Sequence, residues 1–355
     1  TPASRFRGTG YVFDHLGRDT PGAEEVLYRF EAILEDFRPD VVQVHGVNNP
    51  SLVAWMAARV PTVQFVHNHS AYCSGVDMTW TRPRRICRRP HGPLCLVCHA
   101  ACGCSAKDPV RSLLRYRRVS AELAALRQLR ALQVASAGIR DNLVRNGIDP
   151  ARIEVLPPYA PAPLAERRPM ATGRRMVLHV GGLLKKKGVW LMLDGVDQLP
   201  ADVELVFAGG GELEGELKAA VRRNGLGSRV RVLGELDPTE WSMLLHQATL
   251  VVMPTRWNEP LGLSGLQALA HGRAVIAFAC EGVAGWLADG RNGLLVPFNN
   301  KRAFLAAVRS LLTDPPRLSE MGREGLRRWN EEFQPERHVR QLADHYRRVA
   351  ASAGA

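Results

Sequence analysis

No stretch of this chain approaches the run of about twenty apolar residues that a membrane-spanning helix needs, so it reads as soluble or peripheral. Residues 1–22 hold neither the apolar core of a signal peptide nor a convincing strand. The chain starts at Thr1 rather than Met, and we expect its natural start to lie upstream. Acidic residues are short, 35 against 47 basic, and the resulting charge of +12 could suit nucleic acid, anionic lipid or a phosphorylated substrate. The excess is local. Between Arg82 and Arg118 stand ten basic residues, Lys107 among them, and one acidic residue, Asp108. Only Tyr116 interleaves with them as a stacking platform, which argues against single-stranded nucleic acid, and no nucleic-acid partner is expected. An anionic membrane surface, an acidic acceptor and a solvated Arg-rich loop all fit.

Cysteine is absent from most of the chain. Six of the seven fall between Cys73 and Cys104, with His91 and His99 among them, and Cys280 stands alone in an apolar strand as a small core residue. Cys95-x2-Cys98 has the spacing of a zinc knuckle, but a second such pair is missing. With no secretory signal in view, disulfides are the weaker use. A structural zinc or iron–sulfur site at Cys73, Cys87, Cys95 and Cys98 and a set of free thiols are the two readings.

What is present is a globular composition long enough for two domains. Ala23–Phe37 is predicted helical from Val26, Leu27, Phe30, Ile33, Leu34 and Phe37. Strands are expected at 41–44 and 62–66, with His45 and His67-Asn68-His69 at their ends and a helix over 51–59 between them. A helix over 110–129, a strand over 131–135, a helix capped by Ser136 and a strand over 153–156 complete the first half. Strand, helix, strand with ligand-type residues at strand ends is the doubly wound pattern. The Pro-rich stretch from Pro157 to Pro163, then charged sequence to Arg175, marks the domain boundary. Beyond it, strands are expected at 176–180, 203–208, 230–233, 250–253, 274–279 and 293–296. Asp237-Pro-Thr-Glu240 reads as a capping box, and helices are expected over 302–312, 318–333 and 335–349. The domains are placed at 1–160, with a Cys- and Arg-rich insertion at 73–118, and 161–333. A final helix within 334–355 could cross the junction.

Three strand-end loops carry the chemistry. Gly181-Gly-Leu-Leu-Lys-Lys-Lys-Gly188 allows close backbone approach to a phosphate beside Lys187, without the spacing of a P-loop ATPase. Gly209-Gly-Gly-Glu-Leu-Glu-Gly215 departs from G-x-G-x-x-G by one residue. Pro254–Gly272 brings Glu259 and a helix start to one point, where free backbone N–H groups favour an anion. Leu263, Leu266, Leu269 and Ala270 form its apolar stripe, Ser264, Gln267 and His271 share the opposite face, and Gly272 reads as the residue past the helix end.

From His179 to about Pro315, the order of these motifs resembles the C-terminal domain of the family-4 retaining glycosyltransferases of the GT-B fold. The resemblance rests on the Gly181–Gly188 loop, Phe207-Ala-Gly-Gly-Gly211, Arg231-Val-Leu-Gly234, Asn258-Glu-Pro-Leu-Gly262 and Ala268-Leu-Ala-His-Gly272. Pro39–His45 and Pro61–Cys73 match the first half more loosely, and dispersed cysteines occur in one subgroup. The resemblance implies an α/β protein of two Rossmann-like domains facing across a cleft, with the first strands of the N-terminal domain and their glycine-rich loop missing. It implies retaining transfer from a nucleotide diphosphate sugar to a glycan, a lipid-linked acceptor or a cell-envelope precursor. The setting would be cytoplasmic, free or peripheral on the inner membrane face, with no cofactor required for catalysis. Diphosphate would lie against Gly262, Leu263, Ser264 and Lys187, with Gly182 and Gly210 close by. Glu259 would hold hydroxyls of the donor sugar, and His67 would stand near the anomeric carbon. Where the family usually has a second Glu for the ribose, this chain has Gln267, and Gly182 replaces a common Arg. An inactive nucleotide-sugar-binding or scaffold relative is the alternative reading. A nucleotide-sugar epimerase is disfavoured, because no carboxylate pair is suited to moving a ring proton.

Overall fold

A computed structural model describes residues 23–46, 49–75, 77–104, 108–164 and 174–352. Lys107, residues 165–173 of the expected boundary, and the side chains of Val26 and Leu27 lie outside the described set.

The first half runs α1 (Ala23–Phe37), β1 (Val42–His45), α2 (Pro50–Ala57), β2 (Thr62–Val66), β3 (Thr79–Thr81), β4 (Arg84–Ile86), α3 (Leu94–Ala101), α4 (Pro109–Leu126), β5 (Ala131–Val134), α5 (Ala137–Arg145) and β6 (Ile153–Val155). Strands β1, β2, β5 and β6 lie side by side in that order as a parallel sheet. Every residue of β2 and β5 is buried, as central parallel strands covered on both faces require. The hairpin β3–β4 and helix α3 fall in the cysteine segment, where strands of only three residues leave no periodic signal to read.

The second half runs β7 (Arg175–Val180), α6 (Val189–Leu193), β8 (Val203–Ala208), α7 (Glu214–Arg223), β9 (Val230–Gly234), α8 (Pro238–Gln247), β10 (Leu250–Met253), α9 (Leu263–Ala270), β11 (Val275–Phe278), β12 (Gly293–Val296), α10 (Lys301–Leu312), α11 (Pro315–Glu332) and α12 (Pro335–Ala351). Its six parallel strands stand in the order β12-β11-β10-β7-β8-β9. The direction of winding reverses between β7 and β10, and the crevice outside their carboxyl ends is where ligands of such sheets bind. The capping box forms: Asp237 accepts from Thr239 N at 2.8 Å and Glu240 N at 2.9 Å, and Glu240 accepts from Asp237 N at 3.1 Å. Such a cap contributes roughly 1 kcal/mol to the helix start.

Helix α12 returns to the first sheet. Val349 packs with Val63 and Ala131, and Arg348 pairs with Glu154 at 3.1 Å. Among the described residues no helix is long and apolar enough to cross a membrane.

Candidate functional site between the two sheets

Three loops leave the carboxyl edge of the second sheet and interlock through glycines. Gly188 has φ +74°, and a Cβ there would lie 1.9 Å from the carbonyl oxygen of Pro254, so only glycine lets the β7 loop pass the end of β10. Gly209 has φ +130°, and its Cβ would meet Gly181 O at 2.3 Å. The β8 glycines therefore serve loop packing, which explains their imperfect match to a dinucleotide motif. Gly210 O accepts from Leu183 N at 2.8 Å, and Arg256 N donates to Lys186 O at 2.6 Å. These bonds fix the β7 loop between its neighbours.

The fixed loop delivers Lys187 to Glu259. Lys187 Nζ donates to Glu259 Oε2 at 2.7 Å across 72 positions of sequence. Trp257 Nε1 donates to the same oxygen at 2.9 Å and Thr255 Oγ1 at 3.2 Å. Among the described residues these bonds all fall on Oε2, and Oε1 takes none. The Glu259 side chain is 7% exposed and that of Lys187 23% exposed, so this is a largely desolvated ion pair at the crevice floor. Trp257 covers it, with Lys186 Nζ 3.9 Å and Lys187 Nζ 5.5 Å from its ring centre.

Helix α9 starts beside the pair. Gly262 takes φ +87° as its N-cap, and a Cβ at Gly265 would lie 2.1 Å from Trp286, so small residues seat this helix on the core. Ser264 Oγ is 3.9 Å from where a Gly181 Cβ would be, which places the helix start against the β7 loop. Leu263, expected in the apolar stripe, is 42% exposed, because the first turn stands at the cleft mouth while Leu266, Leu269 and Ala270 are buried.

The first domain grips the same loop. His69, fully buried, donates from Nε2 to Asn258 O at 2.6 Å; its Nδ1 therefore accepts from the Tyr72 hydroxyl, also at 2.6 Å. Burial holds its pKa below the usual histidine range. Asn258 N donates to Thr79 Oγ1 at 3.0 Å, and Asn258 Nδ2 to Glu281 Oε2 at 2.7 Å, an oxygen that also accepts from Asn142 Nδ2 at 2.6 Å. Ser136 caps α5 and donates to Pro260 O at 2.6 Å. Residues on both sides of Glu259 are thus tied to the opposite domain.

Two family models match this chain: one described as glycosyl transferases group 1 over residues 164–328, and one described as a glycosyl transferase 4-like domain over residues 4–159. The chain belongs to the family-4 glycosyltransferases of the GT-B fold. Alpha-maltose-1-phosphate synthase of Mycolicibacterium smegmatis is 32% identical to it over 257 residues, 65% of this chain and 66% of that protein. Glycogen synthase of Mycobacterium tuberculosis is 28% identical over 316 residues, 84% of this chain and 66% of that protein. The chain thus spans 66% of the length of each of these relatives. Two solved structures share the fold. Sucrose-phosphate synthase of Thermosynechococcus elongatus has a TM-score of 0.71 at 21% identity, covering 93% of this chain and 78% of that one. Anabaena HepE in complex with UDP has a TM-score of 0.67 at 15% identity, covering 92% and 84%.

The other expected site residues of this chain fall into three groups. His67 stands exposed at the carboxyl end of β2, where its Nε2 and His45 Nδ1 share a hydrogen bond of 2.9 Å. Burial, and then His45 itself, lowers its pKa, so the pair shares one bond with neutral rings. Gln267 and His271 are not on a solvated face; they turn to α8. Trp241 Nε1 donates to Gln267 Oε1 at 3.0 Å, and Ser242 Oγ donates to His271 Nε2 at 2.8 Å. Gln267 and Trp241 line a cavity of 260 Å³ with Leu236 and Pro238. Trp241, Trp257 and Thr255 carry no motif of their own, and only the spatial neighbourhood identifies them.

The third group is the cysteine set. Cys73, Cys87, Cys95 and Cys98 do gather, with Cys104, around one mostly apolar cavity of 380 Å³. Among the described residues, however, no three His, Cys, Asp or Glu side chains are arranged to hold a metal ion, and all seven cysteines are free. Cys95 and Cys98 sit three apart on α3, and Cys98 also meets Cys102 one turn on and accepts from Arg89 at 3.6 Å. Burial pushes the Cys73 and Cys104 thiols up to about 12, the protonated form.

Acid stability follows from two histidines near this site. Burial brings His179, at the end of β7, and His271 down to about 4, against about 6.5 in an unfolded chain. The unfolded state binds the extra protons between those values. Their stabilisation is complete above about 6.5 and is lost as pH falls towards 4, on the order of 3 kcal/mol per histidine. Thermal melts between pH 7.5 and 4.5 are expected to show this loss, and His271→Gln to flatten part of the slope. A slope unchanged in that variant would remove His271 from the account.

Proposed function

We propose that this glycosyltransferase moves a sugar from a nucleotide diphosphate sugar to a glycan, lipid-linked or cell-envelope acceptor, keeping the donor's anomeric configuration. The observation that carries the reading is the Lys187–Glu259 pair at 2.7 Å, placed where the winding reverses and beside the start of α9. A diphosphate seated there meets an ammonium and the free N–H groups of Leu263 and Ser264, which stabilise the charge that builds on the leaving group. Glu259 Oε1 accepts from a hydroxyl of the donor sugar, fixing the ring over the diphosphate. His67, on the facing domain, stands on the acceptor side. The departing phosphate helps to deprotonate the acceptor on the same face, so no metal or other cofactor is assigned to the reaction centre. The named relatives, an alpha-maltose-1-phosphate synthase and glycogen synthase, and the UDP bound by HepE favour a hexosyl donor and make uridine the first nucleotide to test.

Incubation with UDP-, GDP- and ADP-sugars in the presence of glucan and lipid-linked acceptors tests the proposal, with nucleotide release as the rate and the product's anomeric proton coupling as the stereochemistry. Release with one donor and a product of the donor's configuration is expected. An inverted product overturns retention. One observation favours a second reading: Gln267, in place of a carboxylate, has already accepted from Trp241 Nε1 at 3.0 Å. Nucleotide binding with no transfer from any donor would mark the chain as an inactive nucleotide-sugar-binding relative.

Gly182 provides a gain-of-function test. A Cβ there would meet Leu184 at an ordinary 3.5 Å, and its backbone is outside the left-handed region, so a side chain is accommodated. Gly182→Arg places a second cation near the diphosphate. A charge-assisted hydrogen bond of about 1.5 kcal/mol corresponds to roughly tenfold tighter binding of the nucleotide diphosphate, read by calorimetry. Unchanged affinity with an intact fold would place the diphosphate elsewhere.

A further inference from the structure

Helices α3 and α4 carry an apolar surface that the transfer reading leaves unused. Helix α3, Leu-Cys-Leu-Val-Cys-His-Ala-Ala, has no charged residue. Its buried positions are Cys98 and His99, and His99 is bonded through Nε2 to Ser74 Oγ at 2.8 Å. Its exposed positions are Leu94, Leu96, Val97, Ala100 and Ala101, apolar without exception. Helix α4 has two stripes. Ser112, Val119, Leu123 and Leu126 form the buried one, and Val110, Leu113 and Leu114 lie on the opposite face at helical spacing. The large apolar side chains of the two faces are between 36% and 66% exposed. The two helices pack on each other. A pair of adjacent helices baring this much apolar surface marks an interaction site.

The charges around it choose the occupant. Arg117 continues the α4 stripe one turn on, Arg111, Arg115 and Arg118 line its flank, and the preceding segment adds exposed Arg88 and Arg89. Asp108, the acidic residue of this window, is occupied in capping α4 and pairs with Arg111 at 3.6 Å. An apolar centre rimmed by arginine fits the boundary between acyl chains and anionic headgroups, where basic residues near the surface strengthen the attachment. A protein partner of matching shape would need an acidic rim around an apolar centre; a bilayer offers that at any register. We propose that the α3–α4 corner docks this protein on an anionic bilayer, Leu94, Val97, Val110, Leu113 and Leu114 entering the interface and the arginines holding the headgroups. The proposal stands whether or not the chain transfers a sugar.

Flotation of the full chain with phosphatidylcholine vesicles, with and without about a third phosphatidylglycerol, tests it. The protein is expected to float with the anionic vesicles and at least tenfold less with the neutral ones, and to be released by high salt. Val97→Ser combined with Leu114→Gln removes exposed groups only; it is expected to lower partition at least tenfold with an unchanged melting temperature. Arg111→Gln with Arg117→Gln is expected to weaken binding and reduce its salt dependence. No flotation with anionic vesicles, equal flotation with both, or wild-type binding by Val97→Ser/Leu114→Gln overturns the proposal. So does a concentration-dependent dimer that this double variant abolishes without any vesicle binding, since the surface would then belong to a second copy.

Discussion

Glu259→Gln is expected to lower kcat/KM for sugar transfer by about two to three orders of magnitude, with the affinity for the nucleotide diphosphate unchanged or slightly higher. The substitution keeps the shape of a side chain that is 7% exposed, so the fold is retained. It removes the charge that draws Lys187, Trp257 and Thr255 to Oε2 and leaves Oε1 as an accepting group for a sugar hydroxyl. An amide oxygen makes weaker, uncharged bonds, and its NH2 presents donors to donors. Lys187, released from its partner, remains free to meet phosphate. The combination of lost transfer and kept nucleotide binding separates a sugar-holding role from a structural one. Steady-state kinetics beside calorimetry on the same preparation reads it. Equal losses in both would assign Glu259 to loop architecture.

Lys187→Ala is expected to act on three quantities at once. Transfer falls by a similar factor, nucleotide diphosphate binding weakens by about a hundredfold, and the protein loses stability on the order of 3 kcal/mol. The last follows because Glu259 would keep its charge in a desolvated site with only the neutral donors Trp257 and Thr255. Combining Lys187→Ala with Glu259→Gln removes the stranded charge, so the double variant is expected to melt above Lys187→Ala while remaining inactive. That non-additivity, measured as a thermodynamic cycle, reads the coupling of the pair. Additive melting temperatures would show that the ion pair does not hold the loops together.

The second sheet was legible because its central strands are buried on both faces and read as unbroken apolar runs, as in Leu250–Met253 and Val275–Phe278. The loops after β7 and β10 were legible for a different reason: glycines at Gly188 and Gly262 mark backbone shapes that other residues resist. The meeting of Lys187 with Glu259 was not, since it depends on strand order, which places β7 beside β10 although two strands intervene in sequence. Asn258 read as one polar loop residue among several; its role in binding His69 and Thr79 exists only across the domain junction. The cysteine spacing was legible as a candidate metal set, but spacing carries no direction. On α3 the side chains of Cys95 and Cys98 are set by the helix, and Cys98 faces Cys102 and Arg89. The arginine-rich window was visible as charge, but the apolar faces inside it needed the helices to be placed.

A structure of the protein with the nucleotide diphosphate bound locates the site without recourse to rates. The diphosphate oxygens are expected within hydrogen-bond distance of Lys187 Nζ and the backbone N–H groups of Leu263 and Ser264, with Glu259 Oε1 turned to the sugar position. A diphosphate held on other residues, such as the cavity between α9 and α11 lined by His246, Arg273 and Arg323, with Lys187 still paired to Glu259, would contradict the assignment.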